Sequence, residues 1–262
     1  FDITRENVRR SRQAYFANIS YIDDKIGQIM DVLERTEQAD NTIIVFVSDH
    51  GDMLGERGLW FKMSFFEGSS RVPLMIAGPG IVPGLHTDPV SSLDVTPTVA
   101  DLAGISMAEV QPWTDGMSLC PTLEGNARTE PVLMEYAAEG SYAPLVCIRE
   151  GKWKYTWCSL DPEQLFDLEA DPHELTNLAS DPACADRLEA FRVQRAARWD
   201  MDAFDAAVRE SQARRWIVYQ SLRNGSYFPW DYQPLQKASE RYMRNHMDLN
   251  EVEEKQRFPR GE

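Results

Sequence analysis

The segment "NTIIVFVSDHGDMLGERGLW", residues 41–60, decides the fold. Its residues 42–47 are apolar, rich in β-branched side chains and without polar alternation, which is typical of a strand buried on both faces of a parallel or mixed sheet. A second run of this kind is "VPLMIAG", residues 72–78. Because such strands need covering layers on both faces, the two runs predict an α/β fold.

Helical patterns lie on both sides of these strands. Six apolar residues recur at alternating steps of four and three, which predicts a long helix that packs one face on a large neighbour. Ser91 is a predicted N-cap for a helix through "LDVTPTVADLAGI" that stops near Gly104. The six positions of the first helix are Tyr15, Ile19, Ile22, Ile26, Ile29 and Leu33.

The pattern changes after about Pro131. The runs "VLMEY", "LVCIRE" and "WKYTW" predict an antiparallel sheet, and Gly151 and Lys152 form a two-residue hairpin connection between the last two. Helical sequence follows from about Ala185 to Leu222, and the remaining tail is aromatic and contains prolines.

The composition limits the classes of partner. There are 27 Lys and Arg against 42 Asp and Glu, and the resulting net charge of -15 repels nucleic acid and anionic membranes. No apolar run approaches the roughly 20 residues of a membrane span. The four cysteines form no CxxC pair, which favours reduced thiols and a cytoplasmic protein. The first residue, Phe1, indicates either a piece of a longer protein or a processed terminus.

Asp49 and His50 stand where the first strand ends, and ligands of open α/β sheets bind at the carboxyl ends of strands. A carboxylate and an imidazole both bind metals, and adjacent residues in an irregular turn can reach one ion. The glycines at 51, 55 and 58 allow such a turn. In the alternative interpretation, Asp49 caps the turn and His50 is a partly buried histidine without a ligand.

Lys62 lies between aromatic and other apolar side chains in "GLWFKMSFFEG". We expect it to be desolvated and to face an anion, although an isolated lysine is usually solvated. Glu67 and Arg71 are four residues apart, so we expect a helix-supporting ion pair between them.

Three segments, "FVSDHGDMLGERGLWFKMSFFEGSSRVPLMIAGPG", "SLDVTPTVADLAGI" and "QLFDLEADPHELTNLA", resemble the second half of a sulfatase of the alkaline phosphatase superfamily. The tail from "RRWIVYQSLRNGSYFPWDYQPLQ" onward resembles the carboxyl-terminal extension of the choline-sulfatase subfamily. The resemblance implies part of an α/β/α sandwich in residues 1–130, a smaller subdomain with an antiparallel sheet and helices in 131–222, and the extension in 223–262.

The resemblance also implies a chemistry. Sulfatases use a formylglycine nucleophile and a divalent cation, for which calcium is expected here and magnesium or manganese are alternatives. It implies that Asp49 and His50 are metal ligands and that Lys62 is catalytic, contacting the sulfate near its leaving oxygen. The formylglycine motif is Cys/Ser-x-Pro/Ala-x-Arg. None of the four cysteines begins it, and we expect no serine version. The nucleophile is therefore expected in an amino-terminal half that this chain lacks, and the chain alone is predicted to be inactive.

The expected substrate is a small sulfate ester with a quaternary ammonium group. Such a cation is bound by aromatic faces and carboxylates, for which Glu139, Trp230 and Asp231 are candidates. The resemblance implies that the tail reaches a neighbouring subunit, so Asp248 is expected to help close the partner's pocket in a homodimer or homotetramer.

Two other functions stay open at this point. A phosphonate monoester or phosphodiester hydrolase would have the same fold. A noncatalytic metal-binding or oligomerisation module would explain the missing nucleophile, but exposed sheet edges favour association over a stable monomer.

Overall fold

The computed structural model describes residues 3–138 and 140–223. The chain divides into two compact units, residues 1–205 and 206–262. The helices of the described ranges are α1 (Arg5–Arg35), α2 (Glu67–Ser70), α3 (Val95–Leu102), α4 (Met107–Val110), α5 (Cys120–Leu123), α6 (Ala185–Arg198) and α7 (Met201–Arg223). The strands are β1 (Ile44–Val47), β2 (Met53–Leu54), β3 (Trp60–Phe61), β4 (Leu74–Ala77), β5 (Val132–Tyr136), β6 (Leu145–Glu150), β7 (Trp153–Cys158) and β8 (Gln164–Asp167).

The long first helix is confirmed. Thr4 and Asn7 form a capping box that satisfies the free N–H groups at the start of α1. We expected α1 to pack one face on a large neighbour. In the described ranges it does not, because α1 contains no buried residue and Ile29 is 61% exposed. The helix is instead tied to β2 by Arg12, which donates to the Leu54 carbonyl and pairs with Glu56.

β1 and β4 form a two-stranded antiparallel pair, in register from Ile44 opposite Ala77 to Val47 opposite Leu74. The parallel interpretation of these two runs is therefore wrong, whereas a mixed sheet allows such a pair. An apolar run by itself does not fix the direction of a strand. In the described ranges the two strands are also not buried on both faces, since Met75 is 57% exposed.

The predicted second sheet is confirmed as an antiparallel sheet in the order β5, β6, β7, β8. Gly151 has a φ of +53° in the two-residue turn between β6 and β7, as the hairpin prediction requires. The fourth strand, β8, was not predicted. One face of the sheet packs on α6 through a core of Ile148, Tyr155, Leu165, Leu188 and Phe191.

The two remaining segments that were predicted as helices are helical in the structure. Ser91 caps a short 3-10 turn that leads into α3, and Gly104 follows with a φ of +76°. The predicted helical sequence from 185 to 222 is two helices, because Trp199 is extended. Asp200 then accepts the N–H of Ala203 in the first turn of α7.

No helix within residues 3–138 and 140–223 combines the length and the apolar character that crossing a bilayer requires.

Candidate metal and anion site

Asp49, His50 and Lys62 come together just beyond the carboxyl end of β1. The Nζ of Lys62 lies 2.9 Å from the Nε2 of His50. The Oδ2 of Asp49 lies 3.3 Å from the same nitrogen. The structure thus gathers the three residues that the sequence singled out for metal and anion binding.

The His50 ring is held by its other nitrogen. Its Nδ1 lies 2.8 Å from the carbonyl oxygen of Gly51, which can only accept a hydrogen bond. Nδ1 therefore carries the proton, and Nε2 presents a lone pair to Lys62, which donates to it. The hydroxyl of Ser48 donates to the His50 carbonyl at 2.8 Å and fixes the backbone as well. This is the tautomer that a histidine needs in order to bind a metal through Nε2.

The Asp49 carboxylate is open to solvent and ionised. Its side chain is 83% exposed. The backbone N–H of His50 donates to its Oδ1 at 3.0 Å, and this hydrogen bond, helped by the charge of Lys62, lowers the pKa of Asp49 from its usual value. The carboxylate oxygens are thus charged and accessible at neutral pH.

Asp49 and His50 fit two positions around one divalent cation. Ligands that each lie about 2.0–2.6 Å from one ion lie about 3 Å from each other at a right angle, close to the 3.3 Å observed. In the part of the chain that the structure describes, no group of three or more His, Cys, Asp and Glu side chains is placed to hold a metal. The described residues therefore place two side chains that could serve as ligands side by side, and their donor atoms are of types that calcium, magnesium and manganese accept.

The loop from Gly51 to Ser69 is closed by backbone contacts at its base. The Gly51 N–H donates to the Ser69 carbonyl at 2.8 Å, and a Cβ on Gly51 would lie 2.2 Å from the Gly68 carbonyl oxygen. Gly51 is thus needed for a close approach of two backbones. Gly55 and Gly58, with φ of +96° and +73°, make the turn that the sequence predicted.

The prediction that Lys62 is desolvated among apolar side chains is wrong for the described structure. Lys62 is exposed, and so are its neighbours Phe61 and Met63, at 65% and 45%. Phe61 has a φ of +66°, so the regular alternation of an extended strand does not apply at this point. The exposed side chain of Lys62 is accessible from solvent.

The predicted ion pair between Glu67 and Arg71 is also wrong. Glu67 lies in a helix of only four residues, and its Oε1 accepts from the Nζ of Lys154 at 2.9 Å. Lys154 lies 3.0 Å from the Oε1 of Glu174 as well. The sequence analysis missed Lys154 and Glu174, for which the one local signal is a lysine within the aromatic strand "WKYTW".

Cys147 is unsuited to nucleophilic attack. Burial raises the pKa of the Cys147 thiol to about 11, and its side chain is fully buried. The expectation that no serine begins the formylglycine pattern is wrong, because residues 211–215 read "SQARR". Ser211 lies in the middle of α7, however. A short pattern in an alanine- and arginine-rich helix is a coincidence of composition, so we do not assign Ser211 as the nucleophile.

Four predicted substrate contacts lie outside the described residues and stay predictions. They are Glu139, Trp230, Asp231 and Asp248.

Three family models match the chain. The model described as "Sulfatase" matches residues 1–105, and the one described as "N-sulphoglucosamine sulphohydrolase, C-terminal" matches residues 55–196. The model described as "Choline sulfatase enzyme C terminal" matches residues 206–258, which include most of the tail.

Individual proteins agree with these models. A choline-sulfatase of Rhizobium meliloti (strain 1021) is 74% identical over 265 residues, which are 100% of this chain and 52% of that protein. The chain thus spans about half the length of this relative. A solved phosphonate monoester hydrolase of Agrobacterium radiobacter aligns with a TM-score of 0.65 and 29% identity, over 75% of this chain and 42% of that one. A solved 2-O GAG sulfatase also gives 0.65 and 29%, over 80% and 46%.

Proposed function

The chain belongs to the sulfatase family, and we propose that it is the metal-binding and leaving-group-binding half of a choline-sulfatase, which hydrolyses choline-O-sulfate to choline and sulfate. The observation that carries the proposal is the 74% identity with the Rhizobium choline-sulfatase across the whole chain. We propose that a formylglycine nucleophile lies in an amino-terminal half, so that the 262 residues alone do not turn over substrate.

Asp49 and His50 would hold a divalent cation, for which we propose calcium. The support is the ionised carboxylate of Asp49, the 3.3 Å between the two ligand atoms, and the lone pair on His50 Nε2, which accepts from Lys62 and would pass to a bound cation. When bound there, the cation supplies positive charge beside the sulfate oxygens. The Gly51 carbonyl, by accepting from Nδ1, keeps the imidazole turned toward this position.

Lys62 would act on the leaving group. When the S–O bond breaks, negative charge grows on the choline oxygen, and a fixed ammonium stabilises that charge more in the transition state than in the substrate. The Nζ of Lys62 is exposed and only 2.9 Å from His50. Lys62 thus lies beside the proposed metal position and can reach the same sulfate group.

The ammonium end of the substrate would be bound by aromatic and acidic side chains. We propose Glu139, Trp230 and Asp231 for this role, with Asp248 reaching the pocket of a neighbouring subunit in a homodimer or homotetramer. The support is the match of residues 206–258 to the choline-sulfatase carboxyl-terminal model. We also propose a cytoplasmic location, supported by the four free cysteines at 120, 147, 158 and 184.

The first experiment measures sulfate release from choline-O-sulfate with calcium, magnesium or manganese. The chain is compared with a longer form that includes the coding sequence preceding it. We expect release from the longer form only. A folded longer form that contains formylglycine and releases no sulfate with any of the three cations would contradict the proposal.

The metal assignment has its own test, which does not need turnover. We expect Asp49→Asn to weaken calcium binding to the longer form at least about tenfold, as measured by titration calorimetry. Asp40→Asn is the matched control, because Asp40 is an exposed residue of a short 3-10 helix, outside the loop that carries the site. Equal affinities of the two variants would remove Asp49 from the ligand set.

One observation favours a second candidate function. The similarity to a phosphonate monoester hydrolase covers 75% of the chain at a TM-score of 0.65. Comparing kcat/KM for choline-O-sulfate with that for a phenyl phosphonate monoester separates the two activities. A larger value for the phosphonate would make this candidate the better assignment.

A further inference from the structure

We propose that Lys154 is a positioning residue for the Asp49, His50 and Lys62 site, which it reaches through helix α2 and Ser69. The expected effect of Lys154 on kcat rests on the proposed function. The inference deepens that function by connecting the second sheet, on which Lys154 lies, to the proposed metal and anion site.

The first step is the burial of Lys154 between two carboxylates. Its side chain is 1% exposed and that of Glu174 is 3% exposed. The Nζ lies 2.9 Å from Glu67 Oε1 and 3.0 Å from Glu174 Oε1. Burying a charged lysine is costly unless its charge is compensated, and here two carboxylates from distant segments lie within 3.0 Å of it.

The second step is that both carboxylates hold the same short helix. Glu67 is the first residue of α2. Glu174 accepts the backbone N–H of Glu67 on its Oε2 at 2.7 Å. Lys154 also lies 3.4 Å from the hydroxyl of Ser70, at the other end of α2. A helix of four residues has little stability of its own, so these contacts fix its position.

The third step runs from α2 to the site through Ser69, which is 3% exposed. The Ser69 hydroxyl donates to the Lys62 carbonyl at 2.6 Å. The Ser69 carbonyl accepts the Gly51 N–H at 2.8 Å. One residue of α2 therefore contacts the backbone of Lys62 and the residue that follows His50. Displacing α2 changes the position of Lys62 relative to His50.

The strand that carries Lys154 supplies a matched control. Tyr155 follows Lys154 in β7, and side chains alternate faces along a strand. The Tyr155 hydroxyl donates to Glu163 at 2.6 Å, and its ring packs in the core beside α6. Tyr155→Phe therefore removes a polar contact of the same strand without touching α2.

The experiment compares Lys154→Met with Tyr155→Phe in the longer form used to test sulfate release. For Lys154→Met we expect kcat to fall at least about tenfold with KM changed less than threefold, because misplaced catalytic groups weaken the transition state more than substrate binding. We also expect faster hydrogen exchange of the Gly51 amide. Tyr155→Phe is expected to change the melting temperature while kcat and Gly51 exchange stay within twofold of the wild type.

A double-mutant cycle tests whether Lys154 acts on the site through Ser69. If Lys154 acts through Ser69, the fold-loss in kcat of the double variant is smaller than the product of the fold-losses caused by Lys154→Met and Ser69→Ala alone. Strict multiplicativity, or a folded Lys154→Met variant with kcat and Gly51 exchange within twofold of the wild type, would overturn the proposal.

Lys154→Met leaves two carboxylates without their cation and can prevent folding. If that variant does not fold, Glu67→Gln tests the proposal in its place. This substitution keeps the shape of Glu67 and the pair between Lys154 and Glu174. A loss in kcat of at least threefold together with faster Gly51 exchange supports the proposal, and unchanged values overturn it. Gly51 exchange is independent of the substrate, so a wild type without sulfatase activity but with this exchange pattern would contradict the proposed function alone.

Discussion

Lys62 depends on its surroundings for its position, because a long, exposed side chain has many rotamers of similar energy. The hydrogen bond from Lys62 Nζ to His50 Nε2 and the contact of the Lys62 carbonyl with Ser69 reduce this freedom. A cation on His50 Nε2 would displace the first contact, whereas the Ser69 contact would still hold the Lys62 backbone. A charge held in place before the substrate arrives costs less reorganisation during the reaction. At this scale, the proposed function depends on where one ammonium group is held.

Lys62→Met is therefore expected to lower kcat about 100-fold or more, with a smaller change in KM. The measurement is steady-state sulfate release by the longer form. Lys25→Met is the control, because Lys25 is an exposed lysine of α1, far along the chain from the site, with contacts to Gln28 and the ring of Tyr21. If both variants lose activity to the same degree, the charge of Lys62 is not specifically required.

Gly51→Ala is expected to disrupt the loop, since its Cβ would lie 2.2 Å from the Gly68 carbonyl oxygen. We expect the free energy of unfolding to fall by about 2 kcal/mol or more and calcium affinity to fall with it. The control is Gly27→Ala, because Gly27 lies within α1 with nothing within 4 Å of its Cβ position. That variant is expected to gain about 0.5–1 kcal/mol. Thermal unfolding that ranks the two variants in the opposite order would contradict this account.

Among the elements, α6 and the second sheet are joined by a polar contact beside their apolar core. Glu163, which precedes β8, accepts from Arg192 of α6 at 2.6 Å and from the Tyr155 hydroxyl at 2.6 Å. Burial alone would raise the pKa of Glu163, but the hydrogen bonds from Arg192 and Tyr155 outweigh it and lower the pKa. The charged form of Glu163 therefore stabilises this packing.

A lowered pKa in the folded state gives stability that is present above the unfolded pKa and is lost as the pH falls through the folded pKa. We therefore expect Glu163→Gln to unfold about 2–4 °C below the wild type at pH 7, for a loss of about 1 kcal/mol at this partly exposed pair. The difference should shrink as the pH falls below the ordinary glutamate pKa of about 4.3 and through the lowered pKa of the folded state. Melting curves from pH 3 to 7 measure it, and a constant difference would mean that the charge of Glu163 has no part in the effect.

Some elements were predictable because their signals are local. Three features depend on residues that are close together in the sequence. They are the apolar periodicity of α1, the Gly151 turn and the Asp-His pair at the end of β1. Strand direction was not predictable, because it depends on where the chain returns after 26 intervening residues. Lys154 was missed for the same reason, since its partner Glu67 lies 87 residues away.

At the scale of the whole molecule, the fold class is confirmed by the solved sulfatase and hydrolase structures, which align over 75–80% of the chain. The chain also carries a large apolar surface on α1. The exposed large apolar side chains of this helix are Phe16, Ile19, Tyr21, Ile22, Ile29, Met30 and Val32. Large exposed apolar patches mark interaction sites in soluble proteins, so we expect these side chains to favour association.

The 262-residue chain on its own is therefore expected to associate despite its net charge of -15. Size-exclusion chromatography with light scattering measures its mass. We expect Ile22→Glu together with Ile29→Glu to lower the associated fraction, while Gln28→Glu, on the same helix, leaves it unchanged. A wild-type chain that elutes as a monomer at micromolar concentration would contradict this expectation.

The backbone crossing between Gly51 and Gly68 has a consequence for redesign. Because the chain returns to its own starting point there, residues 52–68 form a module whose two ends lie side by side. A module with adjacent ends can be lengthened, shortened or exchanged at its tip without moving the strands that carry it. An exchange that keeps the contacts of Glu67 with Lys154 and of Glu56 with Arg12 could thus set Lys62 at a different reach from His50, which would allow leaving groups of different size to be accommodated.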